Sequence, residues 1–368
     1  MIYLDSAATT FQKPQTVAAA MGWALHHCSS VGRGGHGAAM AAAQTVYRCR
    51  ALAAQLFDAQ PEQVVFTMNA THGLNIALHS LVGPGSRVVI SGLEHNAVTR
   101  PLHALGAEVV TAQGDIFDPE ETLAAFRAAL EEPADAVVCT QVSNVFGAVL
   151  PVEALGDLCR EQGIPLVIDA SQGAGLLPLS LAGTGARFIA MPGHKGLYGP
   201  QGTGILLCAG DSRPLLAGGT GSNSLEQEMP DFLPDRLEAG THNVVGIAGL
   251  SAGLRFVLQQ GPGKILDHER RLLRGLIQEL RTLPRLRLFT GPGQTGVLSF
   301  AVEGMDCETA AELLAEQGVA VRAGLHCAPL AHATAGTLET GTVRVSVSAF
   351  NRPGEMTEFG RLCRKLFS

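Results

Sequence analysis

The 368-residue sequence predicts an α/β fold. A large domain would carry a mainly parallel seven-stranded sheet flanked by helices, and a smaller α+β domain would follow at the C-terminal end. Three observations predict this. Seven short runs are apolar at nearly every position, helical patterns separate most of them, and the character of the chain changes after Gly240. Runs without polar alternation indicate strands covered on both faces, as in sheets built from strand–helix–strand crossovers.

The strands are expected at Val64–Thr67, Arg87–Ser91, 108–111, Ala136–Thr140, 165–169, 188–191 and Gly204–Cys208. Helices are expected at 71–81, 119–130 and Val152–Gln162, and a long Ala- and Gln-rich helix at 38–57 precedes the block. Beyond Gly240, two long helices (Val244–Gln260 and 264–283) lead into strands near 286–290, Val297–Val302 and 342–347. Helices at 307–317 and 353–366 accompany those strands. Residues 15–245 are expected to form the large domain, and residues 1–14 with 246–368 the smaller one. This length exceeds what a single core usually serves.

Composition narrows the function classes. Hydrophobic residues make up 46% and charged residues 16%, which describes a globular enzyme rather than a disordered chain. A net charge of −7 with no Lys/Arg run argues against a nucleic-acid partner. No apolar stretch reaches the roughly 18 to 20 residues of a membrane span. The N-terminal residues lack the apolar region of a secretory signal. The eight cysteines show no C-x-x-C and no metal-ligand spacing. Reduced thiols in a cytosol, with no metal, are therefore expected.

In an open parallel sheet, ligands bind beyond the carboxyl ends of the strands. After the first run comes Met68-Asn69-Ala70-Thr71, opening a helix whose N–H groups could receive an anion or simply be capped. After the second comes His95, after the fifth Gln141-Val142-Ser143-Asn144, and the next run ends in Asp169, followed by Gln172. An Asp closing a buried strand is costly to ionise without a partner, which a cationic ring nitrogen or a cap would supply. The 188–191 run leads into Pro192-Gly193-His194-Lys195-Gly196, the most specific segment of the chain. Its glycines let the backbone turn tightly, and a desolvated Lys forms a Schiff base readily. P-loop spacing is absent, and the Lys precedes a strand rather than opening a helix. A Lys, an acid, a ring and an anion cradle at the strand ends of one sheet are the set that pyridoxal phosphate requires.

Taken together these segments resemble the cysteine desulfurase and selenocysteine lyase branch of the class V aminotransferases, within fold type I of the pyridoxal-phosphate enzymes (the aspartate-aminotransferase-like fold). The resemblance runs from Tyr3-Leu4-Asp5-Ser6-Ala7-Ala8-Thr9-Thr10 to Arg344 and beyond. It implies Lys195 as the Schiff-base lysine, Asp169 at the pyridine nitrogen and His95 stacked on the ring. Gln172 and Asn144 would face the ring oxygen and the substrate, and Ala70 N–H, Thr71 and His194 would hold the phosphate. In Arg236-Leu237-Glu238-Ala239-Gly240-Thr241-His242-Asn243, Thr241 would reach a neighbouring subunit's phosphate, which implies a homodimer. Arg322-Ala323-Gly324-Leu325-His326-Cys327-Ala328 resembles the loop of the sulfur-accepting cysteine, and Arg344 stands where the substrate carboxylate binds. Arg322, and His36 in Arg33-Gly34-Gly35-His36, are the further implied substrate contacts.

Three positions depart from the family pattern. Pro192 stands for a Ser or Thr, Asn69-Ala70-Thr71 for a Gly-Thr-Thr run, and Leu325 for the first of two histidines before the cysteine. The activity implied is conversion of L-cysteine to L-alanine with the sulfur taken up as a persulfide on Cys327. His326 and the cofactor are the candidates for activating the thiol. Selenocysteine lyase, or another class V aminotransferase or lyase in which Cys327 is incidental, is the alternative. A protein that accepts the sulfur or selenium is a further implied partner.

Overall fold

Seven strands form the central sheet of the computed structural model, which describes every residue except Arg33. Their order across the sheet is Val64–Thr67, Gly204–Cys208, Phe188–Pro192, Leu166–Asp169, Ala136–Thr140, Arg87–Ser91 and Glu108–Ala112. Only Gly204–Cys208 runs against its neighbours; the remaining pairs are parallel. The four strands before the last edge are almost wholly buried, as their Val, Ile and Leu content requires. Glu108–Ala112 closes one edge and is largely exposed.

Helices cover both faces. Ala70–Leu81 starts at Asn69, whose Oδ1 accepts the His72 N–H at 2.9 Å. Pro119–Ala129 starts at Asp118, which accepts the N–H groups of Glu120 and Glu121. Both are side-chain caps that satisfy donors a helix start leaves free. Val152–Gln162 stops at Gly163, with φ 69°, the left-handed conformation glycine adopts without strain.

The smaller unit holds an antiparallel sheet in the order Arg322–Gly324, Thr342–Ser346, Val297–Val302 and Leu286–Phe289. Its separate core includes Leu272, Leu276, Phe300 and Phe359. Helix Val244–Gln260 lies between the expected halves, and its Ile247, Leu250 and Leu254 pack into the larger core. The N-terminal segment crosses both units. Ile2–Tyr3 pairs with Val319–Ala320, Asp5 bridges to Ser346, and helix Gln15–His27 packs on Val244–Gln260. Among the described residues no helix is long and apolar enough to cross a membrane.

Four helices go beyond the sequence reading: the short Leu181–Thr184 and Pro329–Thr334, and the longer Gln15–His27 and Asn96–Ala104. Gln15–His27 buries only Val17 and Ala24, too few to print an apolar stripe. Asn96–Ala104 contains Pro101, a residue that ordinarily marks the end of a helix. His95 is thus the N-cap of a helix, its Nδ1 accepting the Ala97 N–H at 2.9 Å.

Candidate active site

The strand ends converge on one cleft with about 500 Å³ of empty space. Ala70, Thr71, His95, Asn144, Asp169, Gln172, His194 and Lys195 all line it. They come from five connections on the carboxyl side of the sheet, so the topology, rather than proximity in sequence, assembles them.

Lys195 follows Phe188–Pro192 in a turn closed by the Tyr198 N–H on the Lys195 carbonyl at 2.9 Å. The turn packs glycine against glycine. A Cβ on Gly196 would stand 2.3 Å from the Ala174 carbonyl oxygen, and one on Gly175 would stand 2.3 Å from that of Gly196. Gly196→Ala is therefore expected to cost about 1–3 kcal/mol by overpacking and to weaken cofactor retention. Gly263→Ala, where a Cβ meets nothing within 4 Å, serves as the control in the same denaturation series. Equal midpoints for the two variants would contradict this packing.

The N-terminal segment straps the same turn. Thr10 gives its N–H to the His194 carbonyl at 3.1 Å and its Oγ1–H to the His194 and Lys195 carbonyls at 3.0 and 3.3 Å. Lys13 Nζ donates to the His194 carbonyl at 2.8 Å, and the Thr9 hydroxyl lies 3.0 Å from His194 Nδ1. Ala7 completes the strap, its carbonyl accepting from Gln172 Nε2 at 3.0 Å.

Electrostatics follow from enclosure. Burial lowers the Lys195 amine to about 8, against the opposing pull of Asp169 and with help from Arg344 and Arg322. Burial likewise brings His194 down to about 4, and it lowers His95 despite the nearby Asp169 carboxylate. Both rings are neutral at pH 7. Asp169 is 2% exposed, and its Oδ1 accepts the Ser171 N–H at 2.9 Å. Behind it sits Glu94, which the sequence reading left out. It is fully buried, accepts from the Ser91 hydroxyl at 2.5 Å and the Thr140 N–H at 2.7 Å, and burial raises it to about 8.

These residues fit a phosphorylated pyridine aldehyde. The N–H groups of Ala70 and Thr71, at a helix start, have no acceptor among the described residues and suit a phosphate. The buried carboxylate of Asp169 suits a protonated ring nitrogen, and the amine of Lys195 suits the aldehyde. Pro192 lines the cleft without offering a hydroxyl, so His194 and the helix start are left to hold the anion.

Cys327 lies beside this cleft. Its carbonyl accepts the Asn96 N–H at 2.8 Å, and the preceding His326 carbonyl accepts from Asn144 Nδ2 at 2.9 Å. The loop is thereby tied to the residue after His95 and to a cleft-lining side chain. His326 and Cys327 both have positive φ, 50° and 56°, a conformation that non-glycine residues adopt only when their surroundings impose it. Cys327 is exposed, and Arg322 Nη2 lies 4.0 Å from its Sγ. The other seven cysteines are buried or half-buried. Burial lifts Cys159 and Cys363 to about 12 and Cys208 and Cys307 to about 11, so these remain thiols.

His326 does not serve as the base for Cys327. Its ring is buried, Nε2 meets the Thr342 carbonyl at 3.1 Å, and burial with the nearby Arg344 drives it down to about 2. Arg344 is 1% exposed and donates to the Asn144 carbonyl at 2.9 Å and to Asp5 Oδ1 at 2.8 Å. Arg322 is its cross-strand partner. His36 is placed elsewhere: it is exposed and caps helix Gly37–Phe57 through Nδ1, and the neighbouring Arg33 lies outside the described residues.

Thr241 does not enter the Lys195 cleft of its own chain. It lines a separate cavity with Met68, His72 and Asn243, just outside the start of helix Ala70–Leu81. Its segment is held by Glu238, a buried carboxylate that accepts from Arg50, from the Phe66 N–H at 2.5 Å and from His242 at 2.6 Å.

Comparison with known proteins agrees with this geometry. The aminotransferase class-V family matches residues 2–359. A probable cysteine desulfurase of Methanothermobacter thermautotrophicus is 30% identical, over 99% of this chain and 94% of that protein. A cysteine desulfurase of Klebsiella pneumoniae is 34% identical, over 89% of this chain and 84% of that one. The solved apo structure of a cysteine desulfurase from Thermococcus onnurineus superposes with a TM-score of 0.89 at 29% identity, covering 100% of this chain and 94% of the other. A match this long, on a sheet whose strand ends gather Lys195, Asp169 and His95, means that the chain belongs to the aminotransferase class-V family, in its cysteine desulfurase branch.

Proposed function

We propose that this chain is a pyridoxal-phosphate-dependent cysteine desulfurase that converts L-cysteine to L-alanine and takes the sulfur as a persulfide on Cys327. The observation that carries the proposal is the anchoring of the loop of exposed Cys327, through its own carbonyl to Asn96 and through the His326 carbonyl to Asn144, on the rim of the cleft that holds Lys195. A transaminase keeps its chemistry at Cα and has no use for a thiol there.

The bound cofactor would supply an acceptor for the electrons released at the substrate Cα. This chain's residues supply the rest. Asp169 would hold a proton on the ring nitrogen of the bound cofactor, and His95, which lines the same cleft, would cover the ring. Lys195, its amine already lowered to about 8, takes and returns the proton at Cα. Arg344 and Arg322 receive the substrate carboxylate. The Cys327 thiolate attacks the substrate sulfur: a sulfur–sulfur bond forms and the Cβ–S bond breaks. The electron pair goes to Cβ, which gains a proton to become the methyl group of alanine. Arg322, 4.0 Å from Sγ, steadies the anionic sulfur. An acceptor protein then takes the sulfur from Cys327.

Assay of the purified holoenzyme with L-cysteine and a reductant tests the proposal. Alanine and sulfide in equal amounts are expected; a keto acid as the main product would overturn it. The lowered Lys195 amine adds a pH prediction. Only the unprotonated amine couples to the aldehyde, so coupling of added pyridoxal phosphate to the cofactor-free chain should accelerate as pH rises through about 8 and then level off. A rate still climbing towards the ordinary lysine value, read by stopped-flow absorbance, would contradict the placement of Lys195.

Thr241 is assigned to the phosphate of a second copy, so the active unit is a two-fold dimer with composite sites. Sedimentation at assay concentration should give a dimer, and Thr241→Ala should loosen cofactor binding. A fully active monomer would contradict this.

A further inference from the structure

Arg344 is only partly satisfied. A guanidinium carries five N–H donors in a planar fork. In this chain Nη1 serves the Asn144 carbonyl and Nη2 serves Asp5, while buried Nε has no partner. Asp5 is held there by the strand that presents Arg344. It bridges to Ser346, the Ser6 N–H donates to the Ser346 carbonyl at 3.2 Å, and the Ala7 N–H donates to Ser346 Oγ at 2.8 Å. The phenol of Tyr3 adds a bond to the Asp5 carbonyl at 3.1 Å. Across the strand pair Arg322 stands beside Arg344 and, among the described residues, forms no ion pair. The substrate end of the site therefore holds two guanidinium groups and one fixed carboxylate.

We propose that Asp5 is a specificity-setting residue that shares Arg344 with the substrate carboxylate and thereby holds the affinity for amino acids below what two arginines would give. The inference rests on the reading of Arg344 as the carboxylate ligand. A carboxylate fixed on Nη2 neutralises much of the guanidinium charge at short range and takes one arm of the fork. An incoming carboxylate meets the remaining donors, including Nε, and a reduced positive potential. Substrate and product both carry a carboxylate, so the arrangement weakens both and favours release of alanine. The N-terminal segment that bears Asp5 also straps His194 and Lys195 through Thr10 and Lys13, so the two ends of the site are fixed by one stretch of chain.

The test uses the holoenzyme and two ligands that differ only by the carboxylate: L-alanine and ethylamine, each titrated against the cofactor's visible band. Asp5→Asn keeps an oxygen able to accept from Nη2 and removes the charge. It should tighten alanine by about tenfold while leaving ethylamine unchanged, and should lower the KM for L-cysteine without raising kcat. Asp5→Ser gives a second reading with a smaller side chain, should the first variant fail to fold. Alanine bound equally or more weakly, or both ligands shifted alike, overturns the proposal. Arg344→Lys separates it from the underlying reading. If that variant keeps the wild-type preference for alanine over ethylamine, Arg344 is not the carboxylate ligand and the reading itself fails.

Discussion

Lys195→Ala is expected to remove turnover by more than about a thousand-fold, because the same amine tethers the cofactor and moves the Cα proton. The fold should persist. Lys195 sits in a turn whose backbone is fixed by Thr10, Tyr198 and the Gly175–Gly196 contact, none of which uses the side chain. The variant should be colourless as purified and unfold near the wild-type midpoint. Borohydride reduction of the wild-type holoenzyme provides the complementary result. The chain has four lysines, and burial lowers a second of them, Lys13, to about 8 as well. Lys13 is therefore the rival that matters, since low basicity alone would favour both. Its Nζ is committed to the His194 carbonyl, whereas Lys195 lines the cleft with Asp169 and Thr71. The pyridoxyl label should be found on Lys195; a label on Lys13 would overturn the site.

Cys327→Ala is expected to lower sulfide release by about a hundred-fold or more, the scale of a lost nucleophile. Cofactor binding and the absorbance change on adding L-cysteine should remain. The variant removes one exposed thiol and leaves the backbone bonds of the loop, from Asn96 N–H and Asn144 Nδ2, free to form. No neighbouring cysteine can substitute without large rearrangement. Cys139 and Cys159 lie in the core, and burial raises both thiols far above the physiological range. Wild-type desulfuration by Cys327→Ala would return the chain to the other class V activities.

Much of the sheet was legible because its signal is local. A strand such as Ala136–Thr140, buried on both faces, must be apolar at every position, and the polar residue that ends such a run faces the ligand side. Lys195, Asp169, His95 and Asn144, which line one cleft, stand out in that way. The direction of Gly204–Cys208 was not legible, since an antiparallel strand in a covered sheet has the same composition as a parallel one. Asp5 and Thr10 escaped because they act on partners far along the chain, Arg344 and His194, and a short polar N-terminal stretch carries no periodicity. Glu94 escaped for a similar reason: its role depends on the Thr140 N–H of an adjacent strand. His326 was a plausible base beside the thiol by sequence, but adjacency in a turn with positive φ sends its ring into the interior and its carbonyl to Asn144.

The central claim is that substrate sulfur passes to Cys327, and peptide mass spectrometry after a single turnover with L-cysteine tests it most directly. The account predicts one added sulfur atom on the peptide containing Cys327, matched by an equal amount of alanine and absent after treatment with a thiol reductant. Sulfur found on a different cysteine, or alanine formed while the Cys327 peptide keeps its original mass throughout, would contradict it.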